Sequence, residues 1–317
     1  MTVPAAAPPG DLLCHGIRWP SSDGVPRLAL TTAGGEAVDV VLESGSRLAF
    51  AAAEDRWCLG HTKVHGRRER TAVACPDAAR AERGHQCGPC FARDETRHMH
   101  DFHRSGIAPA GLRDYLAQEH WLYVASFANG ASKVGTAAAG GEWRRLAEQG
   151  AVAATYVALA ADGAAVRVLE DLVTARLGLG QSVRASAKAS GLAGTVHDAG
   201  SLAALNRGLA ERVREFLGNA DDASAADFVP QAKEWSAPGV AAELLRGWDG
   251  GALHAYPSRL DGGAHGFTVV SVLGQALEAR LDGSAERFVA DAAVLKGRRM
   301  AFGTHSTPVP LLQDALF

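Results

Sequence analysis

The chain has 317 residues, of which 21% are charged, and its formal net charge is −3. This length allows a large core and more than one module, whereas the charge excludes a global basic field for nucleic acid. The apolar runs are far shorter than a membrane span, and residues 1–10 lack the basic and apolar regions of a signal peptide. Five cysteines without an export signal therefore predict a reducing, cytoplasmic location and no membrane partner.

Short apolar runs between Gly and Ser turns predict an antiparallel β unit in residues 11–57. Similar runs recur in residues 264–303. Each set has too few strands to bury a sheet face alone, and its edges would be exposed. We therefore expect the two ends of the chain to share one sheet or barrel, with two separate β modules as the alternative.

A cysteine cluster follows the first β unit and predicts a structural zinc site. Its members are Cys58, Cys75, Cys87 and Cys90. The last pair forms a C-x2-C knuckle in which Gly and Pro let the backbone turn both thiolates toward one ion, and zinc commonly takes four such ligands in a tetrahedron. His61 forms a competing C-x2-H pair with Cys58 and would then replace Cys75. The alternative is a set of buried thiols without a metal.

Residues 92–107 are rich in His, Arg and acids, and predict a solvated helix that leads out of the knuckle. The spacing of their histidines gives little support to a second metal site. His100, His103 and Arg104 are candidates for contact with a phosphate backbone.

A β-hairpin followed by a helix is predicted in the middle of the chain. Two β-prone runs, 121–125 and 133–135, flank an Asn-Gly turn, which is the strongest short-range hairpin signal. A Gly-rich break then leads into a helix over 142–148 that ends at Gly150. Glu142 lies in the first turn of this helix, where the helix dipole favours negative charge.

This hairpin and helix resemble the GIY-YIG nuclease superfamily. Within it, the chain is most similar to a bacterial and archaeal family of cysteine-containing proteins classed as a domain of unknown function. The matching positions are Tyr123, Lys133-Val134-Gly135-Thr136, Arg145 and Gln149-Gly150-Ala151. The Ile and Arg that flank the family's Thr are missing, and Lys133 replaces the second Tyr of a working GIY-YIG site. The resemblance covers roughly the middle third of the chain and the cysteines before it, and motifs this short are weak alone.

The resemblance implies a metal-dependent phosphodiesterase that acts on DNA or RNA. Glu170, on the helix after the third strand, would bind a Mg²⁺ or Mn²⁺ that stabilises the scissile phosphate. Tyr123 would move a proton to or from water, and Arg145 would neutralise the developing charge. Lys133 would bind a phosphate oxygen or mark a lost or altered activity. We therefore expect Tyr123, Arg145 and Glu170 to point into a common pocket.

Further elements follow the hairpin and helix. A β-prone run covers 152–159, and helical periodicity covers 166–177 and 201–217. A short helix is predicted over 241–248. Between them, 176–192 is small, polar and basic without a nearby acid, so that Arg176, Arg184 and Lys188 are candidate nucleic-acid contacts.

The fold class expected from these elements is α+β, with a GIY-YIG-like α/β module and a zinc knuckle between two β segments. The proposed division is an N-terminal β segment (1–57), a zinc-binding knuckle and basic helix (58–117), a GIY-YIG-like domain (118–200), a helical connector (201–248) and a C-terminal β segment (249–317).

Three functions agree with these residues. The first is a zinc-containing, GIY-YIG-like nuclease or phosphodiesterase. The second is a non-catalytic, zinc-stabilised nucleic-acid-binding or scaffold protein. The third is an enzyme that acts on a small phosphorylated or guanidino metabolite. The near-neutral charge weakens non-specific nucleic-acid binding in every case, and the sequence makes no prediction of oligomeric state.

Overall fold

The computed structural model describes residues 11–20, 24–194, 197–220, 226–248 and 253–311. These residues contain a nine-stranded sheet, a four-stranded sheet, a two-stranded hairpin and several helices. The predicted α+β class is thereby confirmed. None of the described helices combines the length and apolar content that crossing a bilayer requires.

The N-terminal segment forms the first four strands. They are β1 (Asp11–Arg18), β2 (Arg27–Thr31), β3 (Ala37–Val41) and β4 (Arg47–Ala52). In β1 and β4 buried and more exposed residues alternate, as expected for strands with one face on a core.

The cysteine segment forms a small hairpin and three short α-helices. They are β5 (His61–Val64), β6 (Arg70–Val73), α1 (Gly88–Arg93), α2 (Phe102–Ser105) and α3 (Ala110–Leu116). The single helix predicted over 92–107 is wrong, because a separate 3-10 helix spans Glu95–His100 between α1 and α2. The Asp94 carboxylate causes the break, since it accepts hydrogen bonds from the backbone N–H groups of Thr62 and Thr96.

The middle segment forms a sheet with helices on it. Its elements are β7 (His120–Ser126), β8 (Ser132–Ala138), α4 (Glu142–Gln149), β9 (Ala153–Ala160), α5 (Gly163–Leu177), α6 (Ala185–Leu192), α7 (Ala199–Asn219) and β10 (Phe228–Glu234). The order across the four-stranded sheet is β10-β9-β7-β8, and the predicted antiparallel pairing of β7 with β8 is confirmed. The sequence analysis did not predict β10, a mostly exposed edge strand that contains Pro230.

The C-terminal segment returns to the first sheet. It contains α8 (Gly239–Gly247), β11 (Leu253–Ala255), β12 (Gly263–Leu273), β13 (Ala276–Arg280), β14 (Arg287–Asp291) and β15 (Arg299–Phe302). The strand order is β11-β14-β13-β12-β4-β15-β1-β2-β3, so strands from both ends of the chain alternate at its centre.

The four-stranded sheet is covered on both faces, which explains why β7 is almost entirely buried. Leu122 and Val124 pack on one face in a core shared with α5 and α7. Tyr123 and Ala125 point the other way, into the large core that also contains the nine-stranded sheet. The helix predicted over 201–217, in the expected connector 201–248, is α7 and forms a structural layer of the middle unit.

The end of α4 meets the turn between β12 and β13 with almost no space between the two backbones. Gly150 and Gly274 have φ angles of +68° and +63°, and a Cβ atom on Gly274 would lie 2.4 Å from the Gly150 nitrogen. The Trp19 indole donates to the Gly274 carbonyl at 3.0 Å. The Gln275 side chain binds both the N–H and the C=O of Ile17, at 2.9 and 2.7 Å. This junction fixes the middle unit against the nine-stranded sheet.

A buried amide ties α7 to the four-stranded sheet. Asn206 is 1% exposed. Its Nδ2 donates to the Val124 carbonyl and to Ser126 Oγ, and its Oδ1 accepts from Thr155 Oγ1 at 2.9 Å. Removal of the amide would take a hydrogen bond from each of these buried groups, of which Ser126 Oγ would keep its bond with Ser132 Oγ.

We expect Asn206→Ala to lower the free energy of unfolding by about 2 kcal/mol, because buried polar groups lose their hydrogen bonds. Urea denaturation followed by circular dichroism measures the change. Asn219→Ala, an exposed position on the same helix, is the matched control and should change stability by less than about 0.5 kcal/mol. Equal effects of the two substitutions would contradict this role.

Candidate metal centre and basic cleft

Four cysteine side chains come together at the base of the small hairpin. Cys58 precedes β5 and Cys75 follows β6, so the pairing of these strands brings the two residues close. Cys87 and Cys90 lie at the start of α1. The four Sγ atoms lie within 4.8 Å of one another, and Cys75 Sγ is 3.9 Å from Cys87 Sγ.

This geometry suits a tetrahedral metal ion with thiolate ligands. Sulfur atoms bound to zinc at about 2.3 Å are about 3.8 Å apart in a tetrahedron. The backbone N–H groups of Gly60 and Cys87 donate to Cys58 Sγ at 3.3 and 3.2 Å, which stabilises negative charge on this sulfur. The donor set is therefore compatible with a structural zinc. His61 lies outside this group of mutually close ligands.

Burial raises the pKa of the Cys58 thiol, whereas at Cys75 hydrogen bonds from the backbone of Ala79 and Asp77 outweigh burial and lower the pKa. Burial raises the pKa of the Cys90 thiol, and its contacts with Cys87, Cys58 and Cys75 raise that pKa further. A bound cation has the opposite effect, since a coordinated thiol is deprotonated. The cluster is thus suited to hold four thiolates only around a positive ion.

Gly60 is a requirement of the metal centre that the sequence analysis missed. Its φ angle is +81°, and a Cβ atom there would lie 1.9 Å from the Val73 carbonyl oxygen. Only glycine lets the chain after Cys58 pass this close to the end of β6. The Cys58-Leu-Gly order offered a weak signal for this turn.

The hairpin residues predicted to be catalytic are enclosed. Tyr123 is fully buried, and its hydroxyl accepts a hydrogen bond from Gln149 Nε2 at 2.8 Å. Gly135 leaves the space for this ring, since a Cβ atom there would lie 2.5 Å from the Tyr123 hydroxyl. The Lys133 ammonium lies 5.6 Å from the centroid of the Tyr123 ring and donates to the Gln181 carbonyl. The structure thus brings Tyr123 and Lys133 together.

The predicted metal carboxylate is also enclosed. Glu170 is 3% exposed and forms an ion pair with Arg167, three residues earlier on α5. Burial raises the pKa of Glu170, while Arg167 opposes that rise. Arg145, in contrast, is exposed on α4 and lines an open cleft. Tyr123 and Glu170 are not among the residues that line this cleft.

The predicted nucleic-acid contacts do not share one cavity wall. Arg176 and Arg184 are exposed, and Arg184 lines a cavity beside β14. Lys188 is half-buried, lies 3.8 Å from the centroid of the Phe127 ring and donates to the Gln149 carbonyl. Burial, together with the Lys133 and Arg145 charges, lowers the pKa of Lys188 to about 7. This lysine therefore caps the end of α4.

The cleft that Arg145 lines is strongly basic and has a volume of about 510 Å³. Its basic side chains are Arg70, Arg144, Arg145, Arg167, Lys296, His100 and His120. They come from β6, α4, α5, the start of β7, the turn before β15 and the 3-10 helix that ends at His100. Glu148 is the one acidic residue in its described lining, and we name this cavity the basic cleft.

The positive charges in the basic cleft come from its arginines and Lys296, because burial lowers the pKa of both His100 and His120. Burial lowers the pKa of His100, and the charges of Arg167, Arg145 and Lys133 lower it further. Burial raises the pKa of Glu148, although Arg144 and Arg145 oppose this rise. Arg144 Nε lies 3.8 Å from the Glu148 carboxylate, at the outer limit of an ion pair. The basic cleft therefore favours an anion.

The sequence analysis did not assign Arg70, Arg144, Arg167 or Lys296 to a site. These residues are far apart in sequence, and each alone resembles an ordinary surface cation. The basic residues before and on α2 were considered as phosphate contacts, but His103 and Arg104 both bind Asp171 of α5. His100 alone of that group lines the basic cleft.

Comparisons of the chain with protein-family models, with curated proteins and with solved structures find no match. The resemblance to the GIY-YIG superfamily therefore stays a prediction, as do the residue roles that it implies.

We expect the purified chain to carry about one metal ion, and Cys90→Ser to remove most of it, because a hydroxyl is a poor replacement for a thiolate ligand. Elemental analysis of the two proteins measures the loss. Cys14→Ser is the control, since Cys14 is buried in the large core, outside the cluster. Full metal content in Cys90→Ser would contradict a four-thiolate centre.

Proposed function

We propose that this protein binds nucleic acid through the basic cleft and that a structural zinc ion stabilises one wall of the cleft. The observation that carries the proposal is the convergence of cations from separate segments of the chain around one cavity with a single acidic residue in its described lining. Arginine guanidinium groups match phosphate oxygens in geometry and charge. Such a local patch supplies the positive potential that a chain with a net charge of −3 does not provide as a whole.

The exposure of the arginines supports this function. Arg70, Arg144 and Arg145 are all exposed, so their guanidinium groups are accessible to a ligand larger than the cleft. The central carbon of the Arg70 guanidinium lies 4.0 Å from the centroid of the Tyr115 ring. This contact with the ring holds the Arg70 side chain at the cleft, where its N–H groups can bind an anion.

Zinc is the ion that the four thiols favour, because it accepts tetrahedral thiolate coordination without redox chemistry. The metal would hold together the two ends of the β5–β6 hairpin. This hairpin supplies Thr62 and Arg70 to the basic cleft. Zinc binding would thus stabilise the cleft at a distance from the ligand.

A metal-dependent phosphodiesterase of the GIY-YIG type is the second candidate. Arg145 lines the basic cleft, and the order of hairpin, α4, β9 and α5 agrees with the resemblance. Glu170 would have to leave Arg167 and gain exposure before it could bind Mg²⁺ or Mn²⁺. Removal of a buried partner from such a pair is strongly unfavourable. We therefore rank binding above catalysis.

We expect the chain to bind short DNA or RNA strands with an affinity that falls as salt rises, because phosphate contacts release counterions. Arg145→Ala should weaken binding about tenfold and reduce the salt slope by about one unit. Fluorescence anisotropy over a range of salt concentrations measures both effects. Arg214→Ala, an exposed position on α7, is the control. Equal affinities of Arg145→Ala and the wild type would contradict the proposal.

We also expect single- and double-stranded DNA and RNA to stay intact with Mg²⁺ or Mn²⁺, because Glu170 is enclosed by Arg167. Gel electrophoresis after prolonged incubation tests this. Cleavage that is lost in Glu170→Gln but kept in Glu215→Gln, an exposed control on α7, would reverse the ranking and favour the phosphodiesterase.

A further inference from the structure

A second and larger cavity, of about 890 Å³, adjoins the basic cleft. Thr62, Glu148 and Lys296 line both cavities, so the two share a wall. Each volume lies within the range of about 300–1,000 Å³ that is usual for small-molecule sites. We name the larger cavity the histidine cavity.

The histidine cavity differs from the basic cleft in its chemistry. Its ring-bearing side chains are His15, His61, His85 and Phe91. Its other polar side chains include Gln86, Gln275, Asp94, Arg18 and Arg83, and Ile17 and Leu59 add apolar surface. Burial lowers the pKa of His15 to about 4, helped by Arg18 and Lys296, so that this imidazole is neutral near pH 7. The cavity thus offers rings and both donors and acceptors of hydrogen bonds.

Two of these histidines, His61 and His85, have a buried Nδ1 atom without a hydrogen-bond partner among the described residues. His61 is only 7% exposed, and within the described part of the chain its Nδ1 has no hydrogen-bond partner. Buried polar atoms in proteins are nearly always paired, because a lost hydrogen bond is costly. Because Nδ1 itself is buried, a polar ligand in the histidine cavity would supply the missing partner after the His61 ring turns this nitrogen toward the cavity.

We propose that the histidine cavity holds the nucleoside part of a nucleotide whose phosphate lies in the basic cleft. This inference rests on the proposed function, since it takes the basic cleft as the phosphate site. The edges of a nucleobase carry hydrogen-bond donors and acceptors that suit the imidazoles of His61 and His15. Its flat faces suit contact with an aromatic ring such as that of Phe91. Lys296 lies where the two cavities meet and would contact the phosphate nearest the sugar.

Two sources share this chemistry: a free mononucleotide and the terminal nucleotide of a strand. The terminal nucleotide would place the remaining phosphates along the exposed Arg144 and Arg145 of α4. A free mononucleotide would use the inner part of the cleft alone. Both sources require the same contact with His61.

Isothermal titration calorimetry separates the nucleoside contact from the phosphate contact. The ligands are the four common 5′-mononucleotides, ribose 5-phosphate, and short single strands with either a 5′-phosphate or a 5′-hydroxyl. We expect at least one mononucleotide to bind about tenfold more tightly than ribose 5-phosphate, because the base satisfies buried polar groups. A preference of the same size for 5′-phosphorylated strands over mononucleotides identifies a strand end, and its absence identifies the free nucleotide.

His61→Phe should abolish the advantage of the mononucleotide and leave the affinity for ribose 5-phosphate unchanged. His65→Phe, an exposed histidine next to the same strand, is the matched control. Elemental analysis of His61→Phe checks that the metal is retained. His15→Phe, on the wall formed by β1, gives a second test if His61→Phe does not fold.

The outcomes distinguish the two proposals. If ribose 5-phosphate and strands bind in an Arg145-dependent manner but no mononucleotide exceeds ribose 5-phosphate, the nucleoside site is overturned and the basic cleft stands. If His61→Phe and His15→Phe both keep the full mononucleotide preference, the assignment of the cavity is overturned. If no phosphate ligand binds the wild type, both proposals fail.

Discussion

The contact between Gly150 and Gly274 is the constraint on which the arrangement of the molecule depends. A side chain on Gly274 would collide with the backbone of Gly150, and a Cβ atom on Gly150 would come within 3.1 Å of the Leu273 carbonyl oxygen. The contact places the end of α4, which carries Glu148, against the nine-stranded sheet. Lys296 lies in the turn before β15, the last strand of that sheet in chain order. These two residues then line both cavities. A substitution at either glycine would therefore shift the common wall of the two cavities as well as the packing of the units.

Each cavity is lined by residues from several separate segments of the chain. The four-cysteine cluster joins the ends of a short hairpin that has little core of its own, and the hairpin supplies Thr62 and Arg70 to the basic cleft. Small units of this size depend on metals for stability because they bury too little apolar surface. The cysteine cluster and the basic cleft are thus linked through a few residues of β5 and β6.

Local chemistry allowed the sequence to predict some of this structure. An Asn-Gly turn between β-prone runs predicted the β7–β8 hairpin, and the C-x2-C spacing predicted one half of the thiol cluster. The basic cleft could not be predicted, because its cations are brought together only by tertiary packing. The burial of Glu170 could not be predicted either. A glutamate on a helix can pair with a cation three residues earlier, as Glu170 does with Arg167, or it can point into solvent. Asp94 broke a predicted helix for a similar reason: its partner Thr62 is distant in sequence.

The interleaved strand order of the nine-stranded sheet has a consequence for synthesis of the chain. The strand β4 pairs residue 50 with residue 265 of β12, and with residue 302 of β15. When the ribosome has made the first half of the protein, β4 therefore lacks both of its partner strands, β12 and β15, and β1 lacks β15. Contacts so distant in sequence slow folding and leave strand edges open to other chains. The four strands of the middle unit pair with one another and can form first, whereas the nine-stranded sheet is completed only after β12 to β15 have been synthesised.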